Sequence, residues 1–448
     1  MSYSSASLKR TLGPLSVWGL GVGYVISGMY FGWNLGLPEG GPYGMLVATI
    51  FVTVMYVCFV LSYSELAAAI PRAGGAFVYA HRALGPMPGF IAGAAQGIEF
   101  VFAPPAIAAA IGAYISIFFP DASPIFIAMA AYILFTGLNI YGVQQSAIFG
   151  IIITILAVFE LLLFVGLTLP HFEWVQFQKN PLPNGWFGAF AAIPYAIWFY
   201  LAIEGVANIA EEVKNPQRDL FIGFNLAMAT LVLLALAVFF SGVGIAGWES
   251  IVYPAGSTSP SDSPLPLALA KVTGESHVMY HLLVSIGLLG LLASFHGIIL
   301  VAGRTTMEFG RVGYAPQFIG KVLQKRQTPA FALIVNMGIG FCALLTGKTS
   351  EIITLAVFGA ITLYIVSLIS VFKLRKVEPE LERPFKTPLY PFIPMIALSI
   401  AIICLLALIY FNFILFLIYG FLLLIGSIWF KFFVSGEAKT ALNLNSNV

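Results

Sequence analysis

Long apolar segments recur along the whole of this chain, and only short loops separate them. Each segment has about 20 residues or more, which is the length that a helix needs to cross the hydrocarbon core of a membrane. The pattern therefore predicts an all-α polytopic membrane protein with twelve transmembrane helices. The predicted spans are centred near residues 24, 57, 103, 132, 157, 198, 232, 291, 338, 362, 400 and 422.

Two of these spans contain residues that interrupt a helix. The first span carries Ser27 and Gly28 in the middle of GVGYVISGMYFGWNLGL, and the sixth carries Pro194 and then the polar pair Glu204-Gly205. Unwound backbone is tolerated at membrane depth only where it lines a cavity. Because spans 1 and 6 run in opposite directions, they take corresponding places in two inverted halves of five spans. This arrangement predicts the central site of a transporter. The alternative is that Gly and Pro are simply common in transmembrane helices.

Composition excludes a soluble protein, because 60% of the residues are hydrophobic, 9% are charged and the mean hydropathy is +0.95. The positions of Lys and Arg predict the orientation. With both termini in the cytoplasm, 3 of the 21 basic residues face outside, namely Lys179, Lys271 and Lys348. We therefore expect a multi-pass protein of the cell membrane, surrounded by lipid. The net charge of +2 reflects this topology, and no nucleic-acid partner is needed to explain it.

Several motifs resemble those of the amino acid-polyamine-organocation superfamily over the full length of the chain. The cytoplasmic motifs are PRAGGAFVYAHRALGPMPGF (71–90), EGVANIAEEVKNPQRD (204–219) and GRTTMEFGRVGYAPQF (303–318). Within the superfamily the chain looks most like the ethanolamine permease subgroup, through GVGYVISGMYFGWNLGLPEGGP, IEFVFAPPAIA and SFHGIIL.

The resemblance implies a LeuT-type fold with a 5+5 inverted repeat, in which spans 1 and 6 are discontinuous. One transporter domain then covers 1–448, with inverted repeats at 1–170 and 185–375 and two additional helices at 388–434. It also implies uptake of a small amine by alternating access, commonly with proton symport. Proton or sodium as the coupling ion, ethanolamine or choline as the amine, and monomer or homodimer as the assembly are left open.

In amino acid carriers of this superfamily the break of the first span typically reads Gly-Ser-Gly, and its backbone amides hold the substrate carboxylate. The matching residues here are Ser27, Gly28 and Met29, after Ile26. A Met side chain would crowd a carboxylate, whereas a neutral hydroxyl group needs fewer donors and less room. We therefore expect an amine without a carboxylate.

The aromatic-rich break of the sixth span maps onto 198–204, and Ala202 stands where Gly is usual. Trp198 corresponds to a gating aromatic, and Phe199 follows it. A protonated amine gains about 0.5 to 2 kcal/mol near an indole face. The alternative is that Trp198 only packs.

Four ionisable residues within the predicted spans are candidates for charge compensation and proton coupling: Glu99, Glu160, Glu204 and His296. An alkylammonium ion in a dry site needs at least one carboxylate to offset its desolvation. Glu99, which has Gln96 and Phe102 on the same predicted helix face, and Glu204 are the preferred candidates. The alternative for each is a satisfied interhelical hydrogen bond. Some members of the superfamily use a span-5 Lys for coupling, but Ala157 occupies that position here.

Enzymatic activity is not expected, because the buried ionisable residues are dispersed over four spans. No cofactor or metal is predicted either: a phosphate-binding Lys-Ser/Thr loop is not evident, and the His residues lack zinc-type partners. The second functional interpretation is a carrier of ordinary zwitterionic amino acids. Charged and capping residues of the cytoplasmic motifs, such as Glu65 and Glu212, are expected to form ion pairs at the inner face.

Overall fold

The computed structural model describes residues 10–72, 74–142, 147–323, 325–326, 328–436 and 438–439, with the backbone alone at 147–150. Apart from two isolated bridges, the regular structure of these ranges is helical, in agreement with the predicted all-α class. The two ends of the chain, at 1–9 and 440–448, lie outside the described residues. Their cytoplasmic location therefore stays a prediction.

The helices follow one another through short connections. In chain order they are α1 (Pro14–Val25), α2 (Ser27–Tyr30), α3 (Leu37–Ala69), α4 (Ala76–Leu84), α5 (Pro86–Ser116), α6 (Pro124–Tyr141), α7 (Ala147–Thr168), α8 (Trp174–Phe177), α9 (Gly188–Ala191), α10 (Ile193–Trp198), α11 (Pro216–Val243), α12 (Glu249–Val252), α13 (Pro264–Thr273), α14 (Val278–Arg311), α15 (Ala330–Leu344), α16 (Thr349–Val377), α17 (Phe392–Phe411) and α18 (Phe413–Phe433). Three 3-10 helices lie at Trp33–Gly36, Leu169–His171 and Ile203–Glu212.

Proline marks the start of several long helices. It stands in the first turn of α1, α3, α5, α6 and α11. The backbone N–H that proline lacks has no intrahelical partner in the first turn, so the residue begins a helix there without losing a hydrogen bond. Proline, which interrupts the apolar runs of the sequence, therefore marks where these helices begin.

Ten helical segments in the described part of the chain are long and apolar enough to cross a membrane. The two other predicted spans, centred near 24 and 338, fall on shorter helices, α1 with 12 residues and α15 with 15. All twelve predicted centres lie within helices. The structure therefore supports ten spans by length, and a total of twelve stays a prediction.

Helix α5 lies at the centre of the bundle, where it packs against α4, α6, α14 and α16. Gly359 allows the close approach of α16. A Cβ atom at this position would overlap the Ala95 carbonyl oxygen of α5 and lie 2.9 Å from the Glu99 backbone nitrogen. Small residues at helix crossings permit this kind of contact in membranes. Helix α18 lies at the periphery. Only 11% of its most apolar 18-residue stretch is buried within the protein, so most of this stretch is available to contact lipid.

We predict that Gly359→Ala lowers the stability of the protein by about 1 to 3 kcal/mol, because the added methyl group overpacks the contact between α16 and α5. The matched control is Gly338→Ala in α15, where an added Cβ atom has no neighbour within 4 Å. Thermal unfolding in detergent measures both. Equal midpoints for the two variants would contradict the packing argument.

Candidate functional site

The first predicted span is interrupted, but its largest distortion lies beyond Ser27 and Gly28. α1 ends at Val25 and α2 begins at Ser27, although the φ of −58° and ψ of −23° at Ile26 between them stay helical. The chain leaves the helical region at Phe31 (φ −162°, ψ 174°) and Gly32 (φ 89°, ψ −42°). The largest distortion of the first span therefore lies about one helical turn after the predicted break at Ser27 and Gly28.

Gly28 serves close packing here, since its backbone remains within a helical turn. A Cβ atom at Gly28 would overlap the Trp198 carbonyl oxygen of the sixth span. The left-handed φ that favours glycine occurs at Gly32 instead. Sequence inspection could not separate these two roles, because both are filled by glycines in one apolar run.

The sixth predicted span is interrupted between α10 and the 3-10 helix Ile203–Glu212. Ala202 adopts φ 74° and ψ 9°, a left-handed conformation that costs a non-glycine residue about 1 to 2 kcal/mol. Its backbone N–H donates a hydrogen bond of 3.2 Å to Glu99 Oε1 of α5. The break predicted around 198–204 is present, and its backbone is hydrogen-bonded to the buried carboxyl group of Glu99.

A small cavity lies between the two interrupted spans. The space that the centre of a water molecule can occupy in this cavity is about 10 Å³. This is close to the smallest such space that holds one water molecule. The lining residues are Tyr24, Val25, Ser27, Ala103, Ile107, Trp198, Leu201, Ala202 and Ile298. The wall is mostly apolar, with the Ser27 hydroxyl group as a polar exception.

Three of the predicted substrate-binding residues line this cavity, namely Ser27, Trp198 and Ala202. The others do not line it, and their part in substrate binding stays a prediction: Ile26, Gly28, Met29, Gln96, Glu99, Phe102, Phe199 and Glu204. The face of α5 that reaches the cavity continues from Glu99 through Ala103 and Ile107, at i+4 and i+8, so the i+3 residue Phe102 points elsewhere. Ala103 and Ile107 were not predicted to line the cavity. Their i+4 and i+8 spacing from Glu99 could have indicated them from the sequence.

The backbone of Met29 forms two hydrogen bonds within the protein. Its backbone N–H already donates to the Ile26 carbonyl oxygen at 3.0 Å, and its own carbonyl oxygen accepts from Trp33 Nε1 at 3.1 Å. The residue is fully buried. The Met29 N–H is therefore engaged in an intramolecular hydrogen bond, and the exclusion of carboxylates by Met29 stays a prediction.

Glu99 and Glu204 come together although 105 positions separate them in the sequence. Neither side chain has any exposed surface, and Glu99 accepts its hydrogen bond from the backbone of Ala202, two residues before Glu204. Glu204 Oε2 accepts a hydrogen bond of 2.8 Å from the Tyr364 hydroxyl of α16. No ion pair found among the described residues includes either carboxyl group.

The remaining predicted polar and aromatic residues surround these elements. Gln96 is buried, and its Nε2 has no hydrogen-bond partner within the described ranges. Phe199 stacks on Trp33, with 5.7 Å between ring centroids. The Trp198 ring meets Phe31 edge to face at 5.4 Å.

Glu160 and His296, predicted as alternative proton-coupling residues, are held elsewhere. Glu160 Oε2 accepts a hydrogen bond of 2.7 Å from Tyr30, between α2 and α7. His296 of α14 lies beside Asn139 of α6, with 3.1 Å between His296 Nδ1 and Asn139 Nδ2. The four predicted residues therefore occupy three separate places, and only Glu99 and Glu204 form one group.

Ion pairs lie at the end of the bundle where α3 and α16 terminate. Glu65 accepts hydrogen bonds of 2.8 and 2.6 Å from the Arg375 guanidinium group, and Arg383 approaches it at 3.4 Å. Glu212 pairs with Arg304 at 2.8 Å. These contacts agree with the charge pairing that the sequence predicted for Glu65 and Glu212, and they tie several helices together at this end.

A loop covers the opposite end. Asn34 Nδ2, just after the first break, donates to the Ser261 carbonyl oxygen at 2.8 Å. The next residue, Asp262, accepts a hydrogen bond of 2.8 Å from Thr349 at the start of α16. Burial raises the pKa of Asp262 to about 6, while the hydrogen bond from Thr349 opposes that rise. Polar contacts therefore join separate segments at both ends of the bundle.

A family model described as an amino acid permease matches residues 12–434 of the chain. The chain belongs to this amino acid permease family. The match confirms the superfamily part of the resemblance, and the ethanolamine permease subgroup stays a prediction.

Three relatives illustrate the range of the family. An uncharacterized transporter of Rhizobium meliloti is 29% identical over 444 residues, which cover 95% of this chain and 92% of the relative. The branched-chain amino acid permease BcaP of Bacillus subtilis is 26% identical, with 97% and 95% covered. The methylthioribose transporter of Bacillus subtilis is 26% identical, with 89% and 88% covered. These names indicate a membrane transporter rather than an enzyme, and their substrates differ.

We predict that Ala202→Gly raises the stability of this permease by about 0.5 to 1 kcal/mol, because glycine adopts the left-handed conformation without the cost borne by alanine. Ala106→Gly, at a buried helical position of α5, is the matched control. It should lower the stability by at least about 0.5 to 1 kcal/mol. Chemical unfolding of both variants provides the measurement, and a loss of stability in Ala202→Gly would show that the strain argument fails.

Proposed function

We propose that this permease imports a small protonated amine, with ethanolamine as the preferred substrate, by alternating access and with coupling to protons. The framework that we propose is the pair of inverted repeats at 1–170 and 185–375, followed by two helices at 388–434. The cavity between the interrupted spans is too small for an amine with four heavy atoms. Transport therefore requires the surrounding spans to separate.

The observation that carries this proposal is the buried Glu99–Glu204 pair next to the break of the sixth span. A buried carboxylate costs several kcal/mol unless a cation, a proton or a metal offsets it. The described ion pairs leave both carboxyl groups without a basic partner. A site that lacks its own cation favours a substrate that brings one.

Glu99 is the carboxyl group placed to meet the ammonium group. It lies one helical turn from the cavity residue Ala103 and binds the backbone of the cavity residue Ala202. Glu204 is turned toward Tyr364 of α16. An ammonium group that enters from the cavity reaches Glu99 first.

The other end of an amino alcohol finds Ser27 and Trp198 in the same cavity. Ser27 Oγ lies 2.9 Å from Ser294 Oγ, which also lies 3.0 Å from the Tyr24 carbonyl oxygen. When Ser294 donates to Ser27, the Ser27 hydroxyl proton can be donated to a substrate oxygen. The Trp198 ring supplies an apolar face on which a cation is attracted. One hydroxyl donor suits a neutral hydroxyl group better than a carboxylate.

Transport of zwitterionic amino acids is the second candidate function, and the similarity to the branched-chain amino acid permease BcaP favours it. The buried carboxyl pair argues against it, because it repels the carboxylate of a zwitterion. Competition distinguishes the two. Alanine or serine should not block uptake of labelled ethanolamine by the wild type, and efficient block by either would favour an amino acid permease.

Uptake of labelled ethanolamine into proteoliposomes tests the proposal as a whole, with the pH gradient and the sodium gradient imposed independently. We expect accumulation that follows the pH gradient and does not depend on sodium. Sodium-dependent accumulation would contradict the proton coupling, and absence of saturable uptake under every gradient would contradict the substrate.

Glu99→Gln should weaken ethanolamine binding at least tenfold, about 1.4 kcal/mol. The substitution keeps size and hydrogen bonding but removes the charge that faces the ammonium group. Glu351→Gln, at an exposed carboxyl group paired with Lys348, serves as the control and should bind as the wild type does. Binding to the purified variants is measured by calorimetry, and wild-type affinity in Glu99→Gln would remove Glu99 from the site.

Trp198→Leu should weaken ethanolamine binding by about 0.5 to 2 kcal/mol, because leucine retains apolar volume but has no π face. Trp198→Phe should recover part of the loss. The same calorimetric measurement applies. If Leu and Phe bind equally well, the indole ring contributes packing alone.

A further inference from the structure

A second cavity opens at the end of the bundle where α7 and α11 terminate. The space that the centre of a water molecule can occupy in it is about 320 Å³, within the range of about 300 to 1,000 Å³ that is usual for ligand pockets. It is lined by residues 170–173, which follow α7, and by Ile245, Lys271 and Val272. The cavity between the interrupted spans shares none of these residues.

The position of the second cavity coincides with the end of a membrane-spanning segment. The apolar segment that includes α7 runs from Ile151 to His171, so residues 170–173 lie where the hydrocarbon core of a bilayer gives way to the headgroup region. Trp174 comes next and is 60% exposed, and exposed Trp side chains are typical of this interface. Phospholipid headgroups therefore lie at the depth of the second cavity.

Two side chains of opposite charge line the second cavity without pairing with each other. Lys271 belongs to the last turn of α13, and Glu173 directly precedes α8. Within the described ranges, no ion pair or side-chain hydrogen bond includes either side chain. The Glu173 backbone is held in place, because its N–H donates to the Gly244 carbonyl oxygen at 2.9 Å. A ligand that carries both a negative and a positive group can engage both side chains.

The tautomer of His171 adds an acceptor to the second cavity. His171 Nδ1 lies 3.0 Å from the Leu167 carbonyl oxygen. Because a carbonyl oxygen can only accept, Nδ1 is assigned the proton, and Nε2 of the neutral ring is an acceptor. An imidazole nitrogen and a carboxylate suit a primary ammonium group, which has three N–H donors. A trimethylammonium group has no N–H and would leave both acceptors unused.

An exposed apolar strip on α7 and the turn after it leads to the second cavity. Ile155, Phe159, Leu162 and Leu169 are 48 to 55% exposed, and their spacing of three, four or seven residues places them on one helix face. Gly166 lies on the same face, and a Cβ atom added there would have no neighbour within 4 Å. An acyl chain can therefore lie along this strip while its headgroup occupies the second cavity.

We propose that the second cavity binds the headgroup of a phospholipid that carries both a phosphate and a primary ammonium group, as phosphatidylethanolamine does. Lys271 Nζ donates to the phosphate, and the ammonium group donates to the Glu173 carboxylate and to His171 Nε2. Such charge-assisted hydrogen bonds are roughly twice as strong as neutral ones. The lipid site is separate from the path of the transported amine, so lipid binding is measurable whether or not the protein transports ethanolamine.

Native mass spectrometry of the purified full-length protein tests the headgroup preference by titration with lipids of identical acyl chains. Phosphatidylethanolamine should bind at least about threefold more tightly than phosphatidylcholine, which has no N–H donor, or phosphatidylglycerol, which has no cation. Equal or tighter binding of either of these lipids would overturn the proposal.

Substitutions of the two charged side chains test their separate roles. Lys271→Gln should weaken binding of phosphatidylethanolamine and phosphatidylglycerol alike, by about three- to tenfold, because both lipids carry the phosphate. Glu173→Gln should reduce the preference for phosphatidylethanolamine over phosphatidylglycerol, since only the former has an ammonium group. Lys348→Gln, at the same end of the bundle but paired with Glu351, is the matched control and should bind both lipids as the wild type does. Wild-type affinities and preference in either cavity variant would overturn the assignment.

Glycerophosphoethanolamine distinguishes a lipid from a free zwitterion, because it has the same headgroup without acyl chains. At a concentration equal to that of the lipid it should leave phosphatidylethanolamine bound, since it lacks the apolar contact with α7. Displacement of the lipid at equal concentration would overturn the lipid as the occupant and assign the second cavity to a soluble zwitterion.

Discussion

The hydrogen bond from Ala202 N–H to Glu99 ties the break of the sixth span to the central helix α5. It holds Ala202 in a left-handed conformation that alanine does not adopt by preference. The resulting turn ends α10 and carries the next residues toward α5, which places Glu204 beside Glu99. Helix α16 approaches α5 closely at Gly359, and its Tyr364 donates a hydrogen bond to Glu204. Helix α5, the break of the sixth span and helix α16 therefore meet at two carboxyl groups.

The buried carboxyl groups of this protein have two kinds of hydrogen-bonding partners, charged and neutral. Glu65, at the end where α3 and α16 terminate, is neutralised by the guanidinium groups of Arg375 and Arg383. Glu99 and Glu204 are at least as deeply buried but have neutral donors alone among the described residues. The first arrangement is that of a permanent ion pair. The second is consistent with the proposed transport of a cation, which would supply the compensating charge.

Much of the architecture follows from local features of the sequence. Apolar runs and prolines are sufficient to locate the helices, because both act on the chain within a few residues. The region of each break is also recognisable. Its detail is not: Gly28 and Gly32 look alike in the sequence, yet one serves packing and the other a left-handed turn. Ala202 gives no local sign that it occupies a conformation typical of glycine.

The pairing of the polar residues could not be predicted, because it depends on tertiary structure. A carboxyl group within an apolar run indicates burial at some cost, but its partner is set by how distant helices cross. Glu160 and His296 are also ionisable residues within apolar runs, although Glu99 and Glu204 are the preferred candidates, and the structure gives them Tyr30 and Asn139 as neighbours. Helix geometry shows only that Glu99, Ala103 and Ile107 share one face of α5.

The central claim is that the buried carboxyl pair selects a substrate by its positive charge. Calorimetry on the purified wild type with ethanolamine and ethylene glycol tests it most directly, since the two molecules have the same length and differ by an ammonium group in place of a hydroxyl group. The account predicts saturable binding of ethanolamine and binding of ethylene glycol that is at least tenfold weaker, about 1.4 kcal/mol. Equal affinity for the two molecules would contradict it.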